Sequence, residues 1–199
     1  MKWIIGLGNP GDDYTNTRHN VGFLILSHIQ LGGDFTLWEK NKYLNALIST
    51  GTIGGAQCTL VKPQTFMNLS GDVVSKLIKK DVKSTDIVVV YDDLAFPFGT
   101  VRLACEKGDG GHNGIKSIAG VLKDESWIRV RIGIHSYIPE VDVPTLVPLV
   151  GVDRADFVLK DFRKDEQEEL QTISHKVVSI LESIEHDGLA KTMTQFNQK

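Results

Sequence analysis

The chain has 199 residues, 41 % of them apolar and 24 % charged, which suits one ordinary globular domain and is short for two. At this size roughly 70 % of the unfolded chain's surface is buried on folding, so the core needs no disulfide or metal staple. A formal net charge of −3 argues against wholesale coating of nucleic acid, and the chain shows neither an apolar run near the roughly 20 residues of a membrane helix nor a cleavable leader in MKWIIGLGNPG.

Trp3–Leu7 is a short apolar run ending in glycine, the pattern of a buried strand. The polar stretch 9–19 has no period and reads as a loop. Asn20 is placed to cap a helix that carries Val21, Phe23, Leu24, Leu26 and Ile29 and stops at Gly32-Gly33. Tyr43–Ser49 and Cys58–Lys62 pair as a hairpin around GTIGGAQ. Ser70 opens a second helix, with Asp72 in its first turn, Lys79-Lys80 in its last, and Val73, Val74, Leu77 and Ile78 facing inward.

Ile87–Tyr91 is a continuous β-branched run, the mark of a central strand buried on both faces. Val101–Leu103 follows a turn at Pro97–Gly99, and Asn113 or Gly114 starts a helix with Ile115, Ile118, Ala119 and Leu122 on one face. Trp127–Ile134 alternates as a strand does, and the proline-containing segment 139–151 is irregular. Leu170, Ile173, Val177, Leu181 and Ile184 form a helical apolar stripe that Gly188 breaks before a short last helix over Leu189–Phe196. Strands alternating with helices predict a single-domain α/β globule over residues 1–199, its central sheet mixed and largely parallel and flanked by helices.

Gly6, Gly8 and Gly11 match the G-x-G-x-x-G dinucleotide fingerprint, which raises a nicotinamide-binding oxidoreductase as a rival reading. That fingerprint requires a helix starting inside the motif and an acid ending the next strand. Here Asn9-Pro10-Gly11 is turn chemistry, eight polar residues follow, and Asp34 comes after a helix. The glycines therefore read as turn-makers, and no cofactor is expected.

Four further stretches share the loop's unusual character: KPQTFMNLSG (62–71), YDDL (91–94), GDGGHNG (108–114) and RVRIGI (129–134). In an open α/β sheet, functional groups collect at the carboxyl ends of the strands, which would bring Asn9, Asp92, Asn68 and Asn113 together beside His19. His19 alone among them has an ordinary pKa, about 6.5, suited to accept a proton near neutrality. A carboxylate such as Asp92 on its other ring nitrogen would fix the tautomer and stabilise the imidazolium. No G-x-S-x-G elbow appears, and neither Cys58 nor Cys105 neighbours a motif histidine, so both cysteines read as reduced thiols and the histidine as an activator of water. Asparagines can donate to a carbonyl, and an oxyanion donor is worth roughly 3 kcal/mol. Together these residues point to hydrolysis of an activated acyl bond such as an ester.

Each residue also has a structural reading. His19 could cap or sit on the surface, Asp93 suits a turn, and Asn68 and Asn113 stand where caps are common. Phe66 and Met67 could be core or rim. His19, His112 and the aspartates show no H-E-x-x-H or similar spacing, so no metal site is expected. Residues 1–133 carry a net +2 and residues 134–199 a net −5, which leaves room for a local basic surface.

Taken together, GLGNPGDDYTNTRHNVGF, KPQTFMNLSG, YDDL, GGHNGIKSI and RVRIGI resemble the bacterial peptidyl-tRNA hydrolase family, in order and spacing, over nearly the whole chain. The resemblance implies a cytoplasmic monomer that needs no metal or cofactor and cleaves the ester between a peptide and the 3′ ribose of tRNA. It implies His19 as general base, Asp92 as the carboxylate that keeps it basic, and Asn9 as sensor of the N-blocked peptide. Asn68 and Asn113 would hold substrate and water, and Tyr14, Phe66 and Met67 would offer stacking surfaces. Arg131 matches an arginine that clamps a tRNA phosphate; its basic partner is either Arg102 or Lys107. A non-catalytic RNA-binding module on the same fold is the remaining alternative.

Overall fold

The computed structural model describes residues 1–105, 108–135 and 154–198, so the predicted irregular segment 139–151 and the candidate Lys107 lie outside the described residues. The strands are β1 (Lys2–Gly6), β2 (Glu39–Asn41), β3 (Ala46–Ile53), β4 (Ala56–Pro63), β5 (Ile87–Pro97), β6 (Val101–Ala104) and β7 (Ile128–His135). The helices are α1 (Val21–Gly32), α2 (Gly71–Ile78), α3 (Asn113–Val121), α4 (Arg154–Val158), α5 (Lys164–Asp187) and α6 (Leu189–Phe196). Among the described residues the seven strands form one sheet in the order β2-β3-β4-β1-β5-β7-β6. Its centre is parallel (β4, β1, β5, β7), while β2, β3 and β6 add antiparallel edges, as the mixed-sheet reading expected.

Two cores lie on opposite faces of this sheet. Along β5, Val88 and Val90 join the core that α1 and α5 cover, whereas Ile87, Val89 and Tyr91 join the core under α2 and α3. That two-sided burial is the physical reason for the unbroken β-branched run. The stripe Leu170, Ile173, Val177, Leu181 and Ile184 is buried against the first core.

The β3–β4 hairpin is longer than the sequence suggested. Its turn is only Gly54-Gly55, so Gly51–Ile53 and Ala56-Gln57 are ladder residues, and Tyr43 lies before the strand. The caps also differ. Asn20 makes no side-chain cap for α1, and Ser70 makes none for α2, its hydroxyl donating back to the Met67 carbonyl at 2.8 Å. α3 starts at Asn113, as expected, and His112 supplies its cap.

The G-x-G-x-x-G match fails as the turn chemistry indicated. Gly11 has φ of 108°, a 3-10 turn covers Asp12–Tyr14, and the next α-helix begins only at Val21. Gly6 and Gly22 have a different task, because they let α1 lie directly on the sheet. A Cβ on Gly22 would stand 2.4 Å from the Leu7 nitrogen and 2.4 Å from the Val90 oxygen.

The chain leaves β1 toward β4 on one side, then crosses back through α2 to β5 on the other. The carboxyl ends of β1 and β5 therefore border a topological switch point, where a crevice forms. A Gly22→Ala chain is expected to lose at least about 1–3 kcal/mol from overpacking against backbone. That corresponds to a drop of several degrees in Tm by calorimetry; an unchanged Tm would contradict the close approach.

Candidate active site

A cleft of about 1030 Å³ opens at this switch point. Asn9 reaches it from the β1 loop, Phe66, Met67 and Asn68 from the turn after β4, and Tyr91 to Ala95 from β5. Asp109 to Asn113 line it from the glycine turn before α3, Arg131 and His135 from β7, and Arg154, Ala155, Val158 and Leu159 from α4 and its end. His19 enters from a 3-10 turn, Arg18–Asn20, and is 9 % exposed.

Asp92, 3 % exposed, accepts two hydrogen bonds on one oxygen. His19 Nδ1 and His112 Nε2 each lie 2.9 Å from its Oδ1. The protons can be assigned from the network. Gly114 N–H and Ile115 N–H both donate to His112 Nδ1, at 3.1 and 3.3 Å, so that nitrogen is unprotonated and Nε2 carries the hydrogen. Burial opposes charge on Asp92, but the two imidazoles and their hydrogen bonds outweigh it and hold the carboxyl well below the usual carboxylate range. The ionised Oδ1 accepts, so His19 donates from Nδ1 and keeps its lone pair on Nε2. Burial lowers the His19 pKa, yet the Asp92 charge and hydrogen bond more than offset this and leave it raised above 6.5.

Asn9 is fixed just as firmly. Its backbone N–H donates to Asn20 Oδ1 at 2.8 Å, and Asn20 Nδ2 donates to its carbonyl at 2.9 Å. The Met67 N–H donates to Asn9 Oδ1 at 2.8 Å. With the oxygen so engaged, the amide nitrogen is the end of Asn9 that can donate to a ligand. Asn68, in the 3-10 turn Met67–Leu69, and Asn113, at the first residue of α3, are exposed on the cleft wall.

Phe66 is 56 % exposed at the cleft, while Met67 is buried. Tyr14 stands behind Phe66, edge to face with ring centroids 6.3 Å apart. Asp93 combines the predicted turn role with a second one. Its Oδ1 accepts the Ala95 N–H at 2.8 Å, and its Oδ2 accepts Arg131 Nε at 2.6 Å. Arg131 also lies 4.7 Å from the Phe96 ring centroid. Arg102 donates to the Phe196 carbonyl at 3.3 Å and so is tied to the end of α6. Beside this cluster, burial pushes the Tyr91 hydroxyl up to about 12, which keeps it protonated.

Two site residues escaped the sequence reading. The sequence offers His112 only as a metal-ligand candidate and Asn20 only as a cap. The signal for His112 was present in GGHNG, a histidine immediately before a helix, where one ring nitrogen can cap while the other reaches outward. The donor atoms of His19, Asp92 and His112 lie within 4.8 Å of one another, close enough to share one ion. An ion there would have to displace both protons that now bind Asp92. Among the described residues lining the cleft none is serine, threonine, cysteine or lysine, and Cys58 is buried in the core under α1 and α5.

A histidine held by a buried carboxylate, at the strand ends of the sheet's parallel centre and in a cleft walled by asparagines, marks a hydrolytic α/β enzyme. The comparisons with known proteins sharpen that class. The peptidyl-tRNA hydrolase family model matches residues 3–199, and the chain belongs to this family. It is 39 % identical over 200 residues to a Bacillus subtilis peptidyl-tRNA hydrolase, covering all of both chains. It is 40 % identical over 194 residues to one from Fervidobacterium nodosum, covering 98 % of this chain and 94 % of that one. The crystal structure of the Acinetobacter baumannii peptidyl-tRNA hydrolase superposes with a TM-score of 0.81 at 28 % identity, covering 99 % of this chain and 94 % of that one.

The electrostatics predict a pH profile. If His19 is the base, its neutral form is the reactive one, and the rate should fall as the pH drops through a midpoint above 6.5. In Asp92→Asn only burial remains, so the midpoint should move below 6.5, and the plateau rate should drop about 10²- to 10⁴-fold as the tautomer is released. Rate against pH for both proteins checks this; an unmoved midpoint would refute it.

Proposed function

We propose that the chain hydrolyses the ester joining a peptide to the 3′ ribose of tRNA, releasing free peptide and free tRNA, with water activated by His19 and no covalent intermediate. One observation carries the mechanism: Asp92 Oδ1 lies 2.9 Å from His19 Nδ1, which leaves Nε2 as the base. Among the described cleft residues there is no serine, threonine or cysteine, and burial keeps the Tyr91 hydroxyl protonated, which supports direct attack by water. Family membership supports the substrate.

His19 Nε2 takes a proton from water as its oxygen attacks the ester carbonyl, and Asp92 stabilises the imidazolium that forms. Negative charge develops on the carbonyl oxygen, where the Asn9 amide nitrogen donates. Collapse of the tetrahedral intermediate expels the 3′ oxygen of the ribose, which recovers the proton from the imidazolium. Asn9, backed on both sides of its backbone by Asn20, also reads the N-blocked peptide. Asn68 and Asn113 hold the substrate main chain, terminal nucleotide and water, and Phe66, braced by Tyr14 and flanked by Met67, offers a stacking face. Arg131, preset by Asp93 and Phe96, contacts a phosphate of the acceptor stem. The enzyme acts as a monomer in the cytoplasm. Among the described residues no helix is long and apolar enough to cross a membrane.

His19→Ala should lose nearly all peptide release from N-acetyl-aminoacyl-tRNA while still folding and binding tRNA, with a Tm lowered by several degrees because buried Asp92 loses one of its two donors. Wild-type turnover by that variant would overturn the mechanism, and tRNA binding without peptide release by the wild type would favour the RNA-binding module. Phosphate contacts release counterions, so KM for tRNA substrates should rise with salt; a salt-independent KM would contradict a basic docking surface.

A further inference from the structure

The turn that carries His19 is tied at both ends. On one side Asn20 grips the Asn9 backbone. On the other, Arg18 reaches the junction of α4 and α5. Its Nη2 donates to Glu166 Oε2 at 2.7 Å, and its Nη1 to the Asp161 carbonyl at 2.6 Å. The guanidinium lies 4.9 Å from the Phe157 ring centroid and 5.4 Å from that of Phe162. The backbones are joined as well, with the Arg18 N–H donating to the Lys160 carbonyl at 3.0 Å and the Phe162 N–H to the Asn16 carbonyl at 3.0 Å. Glu166 Oε2 also accepts the Arg163 N–H at 2.8 Å, closing the first turn of α5.

Arg18 is 5 % exposed and Glu166 2 %. A buried ion pair is a weak stabiliser, because removing two charges from water offsets most of their attraction, and an apolar pair of similar volume would close the seam as well. What an apolar pair cannot supply is direction. A planar fork that meets a carboxylate and a carbonyl at once has one orientation, and the residue it orients is the one before His19. The segment it grips leads back into the cleft wall, where Arg154, Ala155, Val158 and Leu159 stand.

We propose that Arg18, held by Glu166, is a positioning residue for the hydrolysis: it fixes the turn that presents His19 to Asp92 and couples that turn to the α4 wall of the cleft. The proposal rests on His19 acting as the base. Charged and titratable neighbours divide cleanly between the two residues. Asp92 and His112 face His19, while Glu166, Arg163 and Asp161 act on Arg18.

Two variants test it. Arg18→Lys keeps the charge and loses the fork. Arg18→Met combined with Glu166→Leu removes both charges, so none is left buried and unpaired. Turnover of N-acetyl-aminoacyl-tRNA is followed against pH for both, with Tm recorded alongside. Misplacement of a catalytic group by about 1 Å can cost about 100-fold, so kcat should fall about tenfold or more in both variants, with KM within about twofold of wild type. The acid limb should also move to lower pH, because a His19 loosened from Asp92 loses the contact that raises its pKa. A merely structural role would lower Tm and leave that limb in place. An unmoved limb in a folded variant overturns the proposal, whatever the rate does. Failure of the base reading itself would appear separately, in the wild type and His19→Ala.

Discussion

The site depends on one buried carboxylate. Asp92 is almost fully out of water, and an ionised group in that position survives only if hydrogen-bond donors replace its solvation. Two imidazoles do so, and neither is free to leave. His112 is locked by capping α3 through its other nitrogen, and His19 is locked by the strapped turn Arg18–Asn20. The low pKa of Asp92 also links chemistry to folding. Its ionised form stabilises the fold above the usual carboxylate pKa, and that contribution is lost as the pH falls through the depressed value.

The remaining architecture places these groups. β5 is buried on both faces and ends at the switch point, so Asp92 is delivered by a segment packed on both sides. Gly6 and Gly22 allow α1 to lie against β1 and β5, which sets where the preceding turn, and His19 with it, can stand. Asn20 then joins this turn to the Asn9 loop, so the proposed base and oxyanion donor are held by neighbouring residues of one short segment.

Much of this was legible in the sequence, for identifiable reasons. The β-branched run of β5 and the 3.6-residue stripe of α5 are periodic signals that burial enforces. Asp92 stood out as a carboxylate near the end of a buried apolar strand, and Asn9 and His19 as polar residues in an unperiodic loop after β1. His112 and Asn20 were obscured because each sits where a helix begins, and capping is a sufficient local explanation for either. The second function of each lies in a contact 11 or 20 residues away in sequence, which no local pattern encodes. Arg18 was hidden for the same reason: its partner Glu166 is 148 residues distant.

The central claim is that His19 is a neutral base protonated on Nδ1 and held so by Asp92. Nitrogen-15 NMR titration of the imidazoles reads both the tautomer and the pKa without any substrate. The account predicts that neutral His19 carries its proton on Nδ1 and titrates above 6.5. A proton on Nε2, or a midpoint below 6.5, would contradict it.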